Sequence, residues 1–221
     1  MKRVLLPAMK RVLLPVFLCC APALFCQIPA GFTNITPGPG LQGWHISQVN
    51  HHGNTAWKVE NGVVSATQDR KDNGGIILTD RKYKDFEIYL EMNPDFGCDS
   101  GLFLRSDEKG DAYQVMLDYL PGGNMGGVYG EGLKGVESST AADWRKYWKK
   151  GQWNSIRARI EGTTPHITVW MNGAEVKDWT DTANHAADGA EDGMVALQIH
   201  GGGRCRPGLY HRYRNIGIKP L

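Results

Sequence analysis

The sequence predicts an all-β protein, a sandwich or barrel of short antiparallel strands. Three observations carry that expectation. Glycine supplies 28 of 221 residues, nearly twice the usual share of about 7%, which suits a turn-dense chain better than a helix bundle. Two Asn-Gly pairs, Asn61-Gly62 and Asn172-Gly173, each separate short runs of strand-forming residues and read as hairpin turns. Several stretches alternate apolar and polar residues with a period of two, while no long 3.6-residue pattern occurs. With 41% hydrophobic residues the chain is too apolar for disorder. A formal net charge of +2 gives no field that argues for nucleic acid.

At the start of the chain, Lys2, Arg3, Lys10 and Arg11 precede an apolar run, Val12 to Phe25. That order reads as a secretory signal over residues 1–26, with cleavage after Ala23 or Cys26. The run is interrupted by Pro15 and Pro22 and is shorter than the about 20 residues a transmembrane helix needs. Bulky Phe25 disfavours lipid anchoring at Cys26. MKRVLLP occurs twice, at residues 1–7 and 9–15, which reads as a duplicated start. The expected location is therefore secreted or periplasmic. Four of the 25 basic residues and none of the 23 acidic ones lie in this segment, so its removal leaves a net charge of −2.

Residues 27–43, rich in Pro and Gly, read as an irregular lead-in. The remainder, 44–221, reads as one domain. Asn61-Gly62 joins the runs on either side of it, and Asn172-Gly173 joins HITVWM to AEVKDW. Residues 140–150 (TAADWRKYWKK) read as one short helix or ordered loop. Trp153 and Trp170 are expected in the sandwich packing.

Four strands carry the functional signal. In 85–92, Phe86, Ile88, Leu90 and Met92 oppose Glu87, Tyr89 and Glu91. In 100–105, Leu102 and Leu104 oppose Gly101, Phe103 and Arg105. In 113–118, Tyr113, Val115 and Leu117 oppose Gln114, Met116 and Asp118. In 195–200, Val195, Leu197 and Ile199 oppose Ala196, Gln198 and His200. If these strands share a sheet, Glu91, Arg105, Gln114, Asp118, Gln198 and His200 gather on its second face. A merely solvated face resembles 155–161, whose outward set is Ser155, Arg157, Arg159 and Glu161. Planar amides, Arg, His and aromatics instead suit a ligand rich in hydroxyls.

From about Phe32 onward the chain resembles the DUF1080 family, the 3-keto-disaccharide hydrolase domain. The resemblance rests on Gly43-Trp44, Trp57 to Gly62, Tyr83 to Glu87, Ser100 to Arg105, Gly127 to Gly130, Gly151 to Asn154, Met171 to Gly173, Leu197 to His200 and Arg214 to Ile216. It implies a concanavalin-like jelly-roll sandwich of two antiparallel sheets, and an exported, carbohydrate-active protein. The chain departs from the family pattern at two places. Asp99 stands where many members have Asn. Gln114 and Met116 stand where many have Glu and Gln in a strand that ends, as here, at an Asp.

The chemistry implied by the resemblance is cleavage of a glycoside whose sugar carries a ketone at C3. The ketone acidifies the C2 proton, and its loss gives an enolate that expels the C1 substituent. That reaction needs a base, a group for the ketone oxygen and an acid for the leaving oxygen. His200, Asp118, Glu131 and Arg105 are the expected catalytic residues. Gln114, Tyr129, Gln198, Asp99, Glu91 and Arg204 are the expected substrate contacts. Because Gln114 cannot accept a proton at neutral pH, Asp99 and Glu131 are the carboxylates able to compensate. A divalent cation, held by His200 and Asp118, is a further option. No other cofactor is expected. The alternative reading is a non-catalytic carbohydrate-binding module on the same fold. His51-His52 would bind a metal only from a loop, because neighbours on a strand point apart. Cys98 and Cys205 remain beyond the signal, paired or free. A bridge between them would bring 98–101 together with the glycine-rich 200–206 loop.

Overall fold

The computed structural model describes residues 27–49 and 56–221. The signal-like segment and His51-His52 lie outside the described residues. Fourteen strands are described: β1 (Thr33–Asn34), β2 (Trp44–Ile46), β3 (Lys58–Glu60), β4 (Val63–Ala66), β5 (Gly75–Thr79), β6 (Phe86–Met92), β7 (Gly101–Ser106), β8 (Ala112–Leu117), β9 (Met125–Glu131), β10 (Asn154–Glu161), β11 (His166–Met171), β12 (Ala174–Thr180), β13 (Met194–Ile199) and β14 (His211–Pro220). They form two antiparallel sheets packed face to face, a jelly-roll sandwich. One sheet runs β12-β11-β10-β6-β14-β4-β3, with β1 on β14. The other runs β2-β5-β13-β7-β8-β9.

Local sequence explains the hairpins. Asn61 (φ 51°) and Gly62 (φ 74°) join β3 to β4, and Asn172 (φ 49°) and Gly173 (φ 86°) join β11 to β12. Two successive positive φ values match the right-handed twist of the flanking strands. Asn and Gly are the residues that tolerate them. The 140–150 segment is an ordered loop with a single 3-10 turn, Trp144–Lys146, anchored by buried Trp144. The lead-in is not wholly irregular. Thr33 and Asn34 pair with Ile218 and Gly217 of β14. Among the described residues no helix is long and apolar enough to cross a membrane.

The alternation read from the sequence identifies the side chains that face the space between the sheets. Phe86, Ile88, Leu90, Leu102, Leu104, Tyr113, Val115, Leu117, Val195 and Leu197 all enter the core between the sheets. At about 25 cal/mol per Å² of apolar surface removed from water, that interior is the main source of stability. Two further expectations are corrected. Phe103 and Ala196 do not belong to a ligand floor. They join Ile76, Leu78, Ala112 and Met194 in a second buried cluster, so only one end of the outer face of the β2–β9 sheet is polar. Trp153 and Trp170 lie outside the core clusters, half-buried, under the guanidinium groups of Arg214 and Arg157 at 4.1 and 3.9 Å.

Candidate functional site

The site grows out of three neighbouring strands, β13, β7 and β8, with β9 alongside. Register places Ala196, Phe103, Gln114 and Tyr129 in one row across the sheet. Moving along the strands, the same outer face changes from apolar to amide and then to charged. Gly101 pairs with Met116, and its missing side chain is required, because a Cβ there would sit 2.2 Å from the Gln114 amide nitrogen. Beyond the strand ends come Asp99, Asp118 and His200. Asp99, Ser100, Gln114, Met116, Asp118, Tyr129, Glu131, His200 and Arg204 line one cleft with Pro121 and Gly122. Its volume of about 560 Å³ is within the range of small-molecule sites.

Arg204 organises the charges. Its Nε donates to Asp99 Oδ2 at 2.7 Å, and an Nη2 hydrogen donates to Asp118 Oδ2. Both carboxylates are buried, while the Arg204 side chain keeps 43% of its surface exposed. It is therefore held on one side and open to a ligand on the other. The remaining oxygens of the two carboxylates accept backbone N–H groups, Ser100 at 2.6 Å and Leu120 at 3.0 Å. Burial and then the charge of Asp118 hold the Asp99 carboxyl above its usual range, against the lowering effect of the Arg204 bond.

His200 is fixed from several directions. Its Nδ1 lies 2.8 Å from the Gly201 carbonyl. A carbonyl only accepts, so Nδ1 carries the proton and Nε2 of the neutral ring is an acceptor. The Gln68 amide donates to the carbonyls of His200 and Gly202, both at 2.7 Å. Gly74 allows this loop to approach, because a Cβ there would lie 2.1 Å from the Ile199 carbonyl. Under the floor, the Ser100 hydroxyl bonds both the Gln198 carbonyl and the Tyr213 hydroxyl. A disulfide joins Cys98 to Cys205 and so ties the neighbours of Asp99 and Arg204 together.

Seven of the expected residues thus share the cleft: His200, Asp118, Glu131, Gln114, Tyr129, Asp99 and Arg204. Gln198 is buried beneath and accepts a bond from the Gln114 amide at 3.3 Å. Two residues are elsewhere. Glu91 belongs to β6 in the opposite sheet, where Arg214 Nε and Asn215 Nδ2 donate to it at 2.6 and 3.2 Å. Arg105 lies at the far end of β7, at a register shift against β13, with φ 51°. The extra residue breaks the alternation and turns the side chain away from the floor. Its guanidinium, fully buried, donates to the Lys84 carbonyl, the Gly162 carbonyl and Asp85 at 2.7, 3.0 and 2.8 Å. Among the described residues no group of three or more His, Cys, Asp or Glu side chains is arranged to hold a metal ion. Asp118 is engaged by Arg204 and the Leu120 N–H, so a guanidinium stands where a cation was considered.

Ser100, Gln68 and Gly74 also shape the site, without a signal in the sequence pattern. Ser100 and Gln68 act through backbone and buried partners, and Gly74 through close approach, which one-dimensional alternation does not display.

A family model described as a 3-keto-alpha-glucoside-1,2-lyase-like domain matches residues 31–219. The chain belongs to this family. Membership of the 3-keto-alpha-glucoside-1,2-lyase-like family gives the protein a carbohydrate-related function. No curated protein matches the chain significantly. Two crystal structures from Parabacteroides distasonis, each named as a candidate glycosyl hydrolase, share the fold. One is 21% identical with a TM-score of 0.54, covering 80% of this chain and 99% of its own. The other is 16% identical with a TM-score of 0.58, covering 86% and 94%. A carbohydrate-binding module from Bacillus subtilis, CBM66, is 15% identical with a TM-score of 0.54, covering 80% and 95%. These likenesses show the jelly roll.

Proposed function

We propose that the protein is an exported enzyme that cleaves 3-keto glycosides by elimination, followed by hydration. The observation that carries this reading is the shared cleft of His200 and the Asp99–Arg204–Asp118 cluster. In the proposed reaction, His200 Nε2 takes the proton from C2. Arg204 stabilises the negative charge that develops on the C3 oxygen, where a preoriented charged donor is most effective. The C1–O bond breaks as the C1=C2 bond forms, and Glu131 delivers a proton to the departing oxygen. Water adding across the new double bond completes net hydrolysis and returns both protons. Asp99 and Asp118 hold Arg204 in place. Gln114 and Tyr129 receive the sugar's hydroxyls and ring face. Export is supported by the basic-then-apolar start of the chain and by the Cys98–Cys205 disulfide, which suits an oxidising compartment.

The test is turnover of methyl 3-keto-α-glucoside against methyl α-glucoside, followed by methanol release. Release from the keto sugar alone, lowered by about 10²- to 10⁴-fold in His200→Gln, is the expected result. A carbohydrate-binding module is the second reading, favoured by Gln114, which cannot act as a base. Measurable glycan binding with no release from the keto sugar establishes that reading and removes the catalytic one.

A further inference from the structure

We propose that the protein carries a second saccharide site, at the opposite end of the sandwich from the cleft, and that its ligand is an uncharged sugar ring. This rests on the carbohydrate-related function of the family and not on the chemistry assigned to the cleft. A cavity of about 460 Å³ is bounded by Ile35, Gln42, Trp44, Asp80, Arg81 and Tyr83, among others, a volume within the small-molecule range. It shares no lining residue with the cleft. The two ends of β5 show the separation. Its first residue, Gly75, pairs with Ile199 next to His200, whereas its last, Thr79, lines the cavity. Four steps of about 3.3 Å put these ends about 13 Å apart.

The walls are fixed before any ligand arrives. Trp44 Nε1 donates to the Ile35 carbonyl at 2.7 Å. The Asp80 N–H donates to the Gly43 carbonyl at 3.0 Å, and the Tyr83 backbone exchanges two hydrogen bonds with Gly193 at 2.8 and 3.1 Å. The Thr79 hydroxyl donates to the Arg81 carbonyl at 2.7 Å. Such walls carry little ordering cost on binding. The polar side chains, by contrast, are uncommitted. The Arg81 guanidinium, the Tyr83 hydroxyl and the Gln42 amide make no hydrogen bond to a described residue, and Asp80 engages only Oδ1, with His45 Nδ1 at 2.8 Å. Arg81 lies over the Tyr83 ring, 6.0 Å from its centre, so recognition there is by hydrogen bonds and not by stacking. Buried Trp44 and half-buried Ile35 give the cavity an apolar side. Arg81 and Asp80 carry opposite charges, which leaves no excess to attract an ion. An apolar ligand would leave these groups desolvated and unpaired, and an anion would meet Asp80. Donors and acceptors beside an apolar wall match a pyranose, which has C–H groups on its faces and hydroxyls at its edge.

The test is titration of isotope-labelled protein with maltotriose, cellotriose and xylotriose, followed by the backbone NMR signals of Asp80 to Tyr83 and, as reporters of the cleft, those of Gln114 and His200. At least one trisaccharide is expected to shift the Asp80 to Tyr83 signals with a binding curve of its own. Tyr83→Phe is expected to weaken that binding about 3- to 10-fold and Arg81→Ala more than about tenfold. Gln42→Ala, at an exposed position that tolerates truncation, is expected to match Tyr83→Phe. All three variants are expected to keep the wild-type rate of methanol release from methyl 3-keto-α-glucoside. No shift of these signals with any of the sugars, or a curve that all three variants leave unchanged, overturns the site. Inorganic phosphate moving the signals where no sugar does assigns an anion site instead and also overturns it. Absence of methanol release from the wild-type chain removes the catalytic reading alone, because the titration reads binding at the other end of the molecule.

Discussion

Arg105 shows how a single buried cation can be structural while sharing a strand with the floor of a cleft. All three of its bonds reach the loop before β6 and the turn after β10, so it fastens the two sheets together at the ends of their inner strands. Removing a buried charged partner leaves desolvated acceptors, a loss of about 3–5 kcal/mol. Arg105→Ala is therefore expected to lower the urea midpoint strongly while kcat/KM of the folded fraction changes less than about twofold, as for distant independent sites. A large kinetic loss at unchanged stability would return Arg105 to the chemistry. Its residue type and alternation pointed to the cleft. The register shift against β13 that turns it away depends on a partner strand over 80 residues further along, and nothing in the local sequence marks it.

At the scale of elements, the loops carrying Asp99 and Arg204 depend on Cys98–Cys205, which closes a segment with a sequence separation of 107. In the chain-entropy picture a loop of that length contributes about 4–5 kcal/mol. The double variant Cys98→Ser/Cys205→Ser should lose stability of that order in urea titrations. It should also lose at least about tenfold in kcat/KM, because Arg204 is no longer held against its carboxylates. Unchanged kinetics would mean that the hydrogen bonds of Gln68 and Asp99 position the loop unaided. The elements were largely legible in the sequence. Asn-Gly pairs marked two hairpins because only certain residues accept their backbone angles, and alternation marked the buried face of each strand. Alternation does not say which sheet a strand joins. That is why Glu91, equivalent in pattern to Gln114 and Gln198, lies on the opposite side of the sandwich. His200, Asp118 and Gln114 came together because β13, β7 and β8 are neighbours.

For the molecule as a whole, acid sensitivity is written into β14. His211 is fully buried. Burial, and then the charge of Arg212, push its pKa down to about 3 from 6.5, with Asp95 acting in the opposite direction. The unfolded chain therefore binds a proton between those values that the folded chain does not. Stability is complete above about pH 6.5 and falls as pH drops through this window, by on the order of 4 kcal/mol near pH 3. His211→Phe, which keeps a ring against Tyr213, 4.5 Å away in the native protein, should flatten the dependence of the urea midpoint on pH across that range. An unchanged slope would assign the acid sensitivity to other groups.

The position of β14 has a consequence for biosynthesis. Residues 211–220 lie between β6 and β4 and also pair with β1. A nascent chain that has not yet delivered them has no middle to that sheet, and its earlier strands present open hydrogen-bonding edges. Folding therefore waits until translation has passed residue 220. Until then the growing polypeptide presents unpaired strand edges that a holding chaperone must shield from aggregation.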